Sequence, residues 1–145
     1  MKNFALFLII FILLLNMQFT CAKTNKIPVN LVRVVDGDTV ILQIDDNKFP
    51  VRLQGIDCFE TSKIPRAYMQ AYKNNLSIDD VIKKGNESLK FLQDLFSSDK
   101  DFYLDFKGLD KYNRVLGILY LNNQNINQEL IKHGGCMVYT FKNSN

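Results

Sequence analysis

The chain has 145 residues, of which 47% are hydrophobic and 23% charged, with a formal net charge of +3. That length fits one domain with one modest core and excludes a multidomain assembly. A balance so close to neutral gives only weak general attraction to nucleic acid, so any binding must come from local arrangement rather than bulk field.

Taken in chain order, the first 22 residues read as a secretory leader. Lys2 supplies a positive start, Ala5 to Leu15 is an almost unbroken apolar run, and Thr20-Cys21-Ala22 offers small residues for cleavage after Ala22. Cys21 sits in a poor lipobox, and a membrane association follows only if the leader stays uncleaved or is lipidated. Lys2 is the only charge in this segment, so residues 23–145 carry one charge less, +2. The expected location is therefore secreted or periplasmic.

Asn30 to Val35 and Thr39 to Ile44 are rich in Val, Ile and Leu and are divided by an Asp-Gly pair, a hairpin signal. Asp45-Asp46-Asn47 makes the next turn. Phe49, Val51 and Leu53 then alternate around Arg52, which points away from the apolar face of its strand. Thr61 to Lys84 is polar, has no clean apolar period, and reads as a long excursion with a helical turn near Ile78 to Ile82. From Asn86 onward, Leu89, Leu92, Leu95 and Phe96 fall on one helical face. Phe102, Leu104 and Phe106 alternate as a fourth strand, and Val115 to Leu121 forms a fifth. Asn125 with Gln128 resembles a capping box for a short helix that Gly134 can end. The order βββαββα, mainly β with two or three helices, predicts a small five-stranded barrel of the OB type.

The chemistry-bearing residues fall in four blocks: Asp36-Gly37-Asp38-Thr39, Arg52, Asp57-Cys58-Phe59-Glu60 and Asp110-Lys111-Tyr112-Asn113-Arg114. Asp-Gly-Asp taken singly is an ordinary turn. Carboxylates without a His or Cys cluster favour Ca²⁺ or Mg²⁺ over zinc. A guanidinium fork holds phosphate oxygens bidentately and strengthens as charge develops. Together these predict phosphodiester chemistry. Cys58 and Cys136 are the two cysteines beyond the leader, either a disulfide or two buried thiols. His133, the single histidine, sits where a helix C-terminus suits a cation.

Val35-Asp36-Gly37-Asp38-Thr39-Val40, Arg52-Leu53, Ile56-Asp57-x-x-Glu60-Thr61 and Asp110-Lys111-Tyr112-x-Arg114 resemble the staphylococcal nuclease (thermonuclease) family. The resemblance runs from about Asn30 to Tyr139. It implies an OB-fold barrel and a Ca²⁺-dependent endonuclease acting on single-stranded DNA and RNA, leaving 3′-phosphates, as a monomer with no stable protein partner. Carried over by position, Asp38 and Asp57 bind calcium through carboxylates and Cys58 through its backbone carbonyl, with Asp36 in an outer shell. Glu60 activates or orients water, while Arg52 and Arg114 grip the scissile phosphate. Lys111 and Tyr112 contact a neighbouring phosphate, and Tyr139 stacks on a base. Phe59 stands where the family has proline and Asn113 where it has glycine, a position Asn tolerates through left-handed backbone. The sequence ends at Asn145, where the family continues into a C-terminal helix, so a barrel without that helix is expected. A non-catalytic OB-fold binding module is the rival reading, which the retained acids and arginines oppose.

Overall fold

A computed structural model describes residues 25–96 and 101–140. The leader, Cys21 and the side chain of Phe96 lie outside the described residues. The strands are β1 Lys26–Asp36, β2 Thr39–Ile44, β3 Asn47–Leu53, β4 Ile56–Cys58, β5 Phe102–Leu109, β6 Val115–Leu121, β7 Gln124–Asn125 and β8 Cys136–Val138. The helices are α1 Pro65–Asn74, α2 Ile78–Phe96 and α3 Ile126–Lys132.

The five long strands run in the order β3-β2-β1-β5-β6, and a parallel pairing of β3 with β6 closes them into a barrel. Closure leaves no long open edge among these five strands. Strand alternation supplies the core: Val40 and Leu42 from β2, Val51 and Leu53 from β3, Phe102 and Leu104 from β5, and Leu119 and Leu121 from β6. Leu92 of α2 and Leu130 of α3 plug the barrel and are fully buried. The expected cap on α3 is present, with the Asn125 side chain accepting the Gln128 N–H at 3.1 Å. Gly134 follows with a φ of 77°, in the left-handed region that ends the helix. At the same helix end His133 stacks on Phe91, with ring centroids 4.5 Å apart.

The polar excursion expected over Thr61 to Lys84 is instead helical for most of its length. Pro65 opens α1 at the position where its missing N–H costs nothing. Ser77 starts α2: its Oγ accepts the Asp80 N–H at 3.0 Å and donates to Asp80 Oδ2 at 2.6 Å. So α2 begins eight residues before Asn86, the expected start. Their packing explains why apolar periodicity missed them. The buried stripe of α1 is Ala67, Gln70 and Ala71, and that of α2 runs Val81, Gly85, Ser88 and Leu92. Small and polar residues hold the core positions, so large-residue patterns are absent. Phe59, Ala67, Ala71 and Val81 form a second, smaller core that fastens α1 beside the barrel mouth. Phe59, in the family's proline position, is the large side chain at its centre.

Disulfide Cys58–Cys136 joins β4 to β8, which pair antiparallel in register at these two residues. The choice that sequence left open between thiols and a bridge falls to the bridge. It lies beneath the acidic turn, because a Cβ on Gly37 would stand 2.9 Å from the Cys58 Cβ.

Candidate active site

Four segments of the barrel mouth and two helices assemble the site. The β1–β2 turn carries Asp36 and Asp38, and Asp36 Oδ1 accepts the Asp38 N–H at 3.1 Å, a side-chain turn that fixes the loop. Across the sheet, Thr39 pairs with Arg52, and the Leu53 N–H donates to the Asp38 carbonyl at 2.8 Å. The end of β3 is thereby locked to the acidic turn. Asp38 Oδ2 then accepts the Cys58 N–H at 2.9 Å, bringing in the start of the Asp57–Glu60 segment.

Arg52 lies at the centre. Its guanidinium pairs with Asp38, lies 3.5 Å from Asp57 Oδ1, and donates to the Ile56 carbonyl at 3.2 Å. Only 14% of its side chain is exposed. Burial pulls its pKa down from the ordinary arginine value, against the pull of Asp57 and Asp36, while Arg66 and Arg114 push the same way as burial. Arg66 and Arg114 thus bring two further positive charges close to Arg52.

Arg114 is aimed by its own turn. Asp110 Oδ1 accepts the N–H groups of Tyr112 and Arg114 at 2.8 and 2.9 Å, and Oδ2 pairs with Arg114 Nε at 2.7 Å. Burial raises the Asp110 pKa, but the Arg114 N–H, its guanidinium and the Tyr112 N–H together outweigh burial. The carboxyl stays below its usual value. Asn113 adopts φ 59°, the left-handed backbone expected of it in place of glycine. Tyr112 is 68% exposed, with Lys111 Nζ 4.9 Å and the Arg114 guanidinium 5.6 Å from its ring centroid.

Helix α1 contributes two residues that the sequence reading did not single out. Arg66 pairs with Asp57, and its Nε lies 3.1 Å from Glu60 Oε1. Gln70, buried, donates from Nε2 to the Cys58 carbonyl at 2.9 Å and accepts the Glu60 N–H on Oε1 at 2.9 Å. From the other side, Gly85 of α2 lets the chain pass: a Cβ there would meet the Glu60 carbonyl oxygen and stand 2.6 Å from that of Phe59. Glu60 is thus set by two helices, α1 within the excursion and α2, which begins in it.

Asp36, Asp38, Arg52, Glu60, Arg66 and Arg114 line one recess of about 110 Å³. Arg52, Arg66 and Arg114 also border a groove of about 1190 Å³ that reaches Asp57, Lys111, Tyr112 and Tyr139. The structure therefore brings all nine expected site residues to one end of the barrel. Lys111, Tyr112 and Tyr139 lie along the groove, away from the recess. The donor chemistry of Asp38, Asp57 and the Cys58 carbonyl, all oxygen, fits a hard cation. In this structure their oxygens face Arg52, Arg66, Gln70 and the Cys58 N–H, and among the described residues no group of three His, Cys, Asp or Glu side chains gathers into a metal cage.

Known proteins are similar to this chain. The family model described as staphylococcal nuclease homologue matches residues 50–145. An uncharacterized endonuclease of Haemophilus influenzae is 32% identical over 140 residues, covering 96% of this chain and 67% of its own length. An uncharacterized protein of Methanocaldococcus jannaschii is 31% identical over 119 residues, covering 75% of this chain and 58% of its own. The thermonuclease of Staphylococcus hyicus is 28% identical over 113 residues, covering 78% and 60%. The chain thus spans between 58% and 67% of the length of these curated relatives.

Proposed function

We propose that this chain, which belongs to the staphylococcal nuclease homologue family, is an exported calcium-dependent endonuclease that hydrolyses single-stranded DNA and RNA. The observation that carries the reading is the convergence of Arg52, Arg114 and Glu60, from three separate segments, on one recess. Relatives named endonuclease and thermonuclease support the same reaction class.

A phosphodiester seated in the recess meets the forks of Arg52 and Arg114 on its non-bridging oxygens. These charge-assisted contacts strengthen as negative charge builds in the five-coordinate transition state. Glu60 accepts a proton from water attacking phosphorus in line with the leaving 5′ oxygen. The P–O5′ bond breaks, the 5′ oxygen takes up a proton, and the phosphate remains on the 3′ side. Arg66 holds the Glu60 carboxylate toward the recess. Asp38, Asp57 and the Cys58 carbonyl are the residues that would hold Ca²⁺, whose bound charge neutralises and polarises the phosphate. Export rests on the leader reading of residues 1–22.

The test is digestion of single-stranded DNA by protein lacking the leader, with calcium and then with chelator, followed by end-group analysis. Calcium-dependent cleavage leaving 3′-phosphates is expected, with Glu60→Gln and Arg52→Lys each slower by roughly 10²–10³. A folded sample that binds the strand yet never cleaves it would replace the enzyme with a binding module.

A further inference from the structure

Helix α1 forms a wall of the groove. Ala67 and Ala71 pack into the small second core, so the helix turns Arg66, Met69 and Lys73 outward, at spacings of three and seven from Arg66, while the buried Gln70 borders the groove from within the helix's packed face. All four line the groove. Its volume of about 1190 Å³ exceeds the roughly 300–1,000 Å³ typical of a small-molecule site. The space therefore exceeds what one nucleotide needs.

The charges of its lining point to an anionic chain. Five cations (Arg52, Arg66, Lys73, Lys111 and Arg114) face two carboxylates, Asp57 and Asp110. Both carboxylates are already paired, Asp57 with Arg52 and Arg66, Asp110 with Arg114. Lys73 and Lys111 have no carboxylate partner among the described residues, and they stand on different walls, one on α1 and one on the β5–β6 turn. Arg66 and Lys73 are two helical turns apart, about 10 Å along the axis at 1.5 Å per residue. That separation is too great for one phosphate, so they serve different nucleotides. Between them Met69, 57% exposed, offers a polarizable apolar surface for a base or sugar.

We infer that α1 is a nucleotide-binding wall, on which Lys73 contacts a phosphate flanking the scissile one and Met69 supports its base. The inference rests on the nuclease reading. It adds a subsite on a different element from the turn that carries Lys111 and Tyr112, so the bound strand is held by more of the groove than that turn alone.

The test measures binding of a fluorescent twelve-nucleotide thymidine strand to the Glu60→Gln protein over a range of salt concentrations. Each phosphate contact on a single strand contributes about 0.7 to the slope of log affinity against log salt. Lys73→Gln in that background is expected to lower the slope by about 0.7 and to weaken binding several-fold. Lys73→Arg should keep the slope. Lys48→Gln, an exposed lysine on β3 outside the groove, is the charge-matched control and should leave both values unchanged. A Lys73→Gln slope equal to the parent's, with the parent binding normally, overturns the inference and leaves the nuclease reading intact. Loss of slope in Lys48→Gln equal to that in Lys73→Gln also overturns it, because the effect is then one of general charge. A parent that fails to bind, together with a wild-type protein that fails to cleave, overturns the nuclease reading and the inference with it.

Discussion

Gln70 Oε1 accepts the backbone N–H of Glu60 at 2.9 Å, so a helix seated outside the barrel fixes the backbone of the proposed general base. The same side chain donates to the Cys58 carbonyl, and its amide therefore spans the whole loop between the expected metal ligands and the base.

Gln70→Ala leaves a buried carbonyl and an N–H without their partners. The cost is about 1–3 kcal/mol of stability, read from urea unfolding. Cleavage should fall further than stability explains, by about tenfold or more, since Glu60 loses its anchor. An unchanged cleavage rate in the folded variant would show that the clamp does not position Glu60.

Gly85 makes the matching prediction from the opposite face. An alanine methyl collides with the Glu60 carbonyl, and backbone cannot yield as a flexible side chain would. Gly85→Ala should destabilise by about 1–3 kcal/mol, as overpacking does. It should also lower kcat by displacing Glu60, whereas Gly55→Ala, whose added Cβ meets nothing within 4 Å, disturbs only its own left-handed backbone. Equal kcat for the Gly85 variant and wild type would show that Glu60 tolerates the shift.

The disulfide closes a loop between residues 78 apart, and its removal should cost about 2–5 kcal/mol. Cys58→Ala with Cys136→Ala tests this without a reductant, by the shift in urea midpoint at constant slope. Because the bridge lies directly under the Asp36–Asp38 turn, the double variant should also bind calcium more weakly. Mass measurement after alkylation checks the bridge itself: two blocked cysteines before reduction would disprove it.

The barrel was legible because its strands alternate cleanly and its turns carry Asp-Gly and Asn-Asn signals. The blocks of the candidate site were legible for a related reason: they sit at strand ends, where spacing in sequence translates into position. Helix α1 was not, because its buried face is Ala67, Gln70 and Ala71 while Tyr68, Met69 and Tyr72 are exposed. Large residues outside and small ones inside reverse the usual amphipathic pattern. Pro65 and Ser77 were the available signals, one a helix-opening proline and the other a cap three residues before Asp80. Missing α1 meant missing Arg66 and Gln70, both supports of Glu60, although Glu60 itself was evident. Spacing finds residues on a shared scaffold, and it cannot find a second element folded back over them.

Asp110 gives a prediction with a sign in pH. Its carboxyl titrates below the ordinary 3.8 in the folded protein, so the folded state takes up a proton less readily than the unfolded chain. The stability it contributes is complete above the unfolded value and is lost as pH falls through the lower folded value. Asp110→Asn should therefore open a stability gap from wild type that is constant from about pH 7 to pH 5 and closes as pH falls below about 4. The asparagine oxygen still accepts the Tyr112 and Arg114 N–H groups, which keeps the turn. What it loses is the ion pair to Arg114 Nε. The guanidinium is then free to swing from the recess, and cleavage should drop by about tenfold while the barrel stays folded. A gap that persists at low pH would place the loss in turn geometry, and undiminished cleavage would show that Arg114 reaches the phosphate without Asp110.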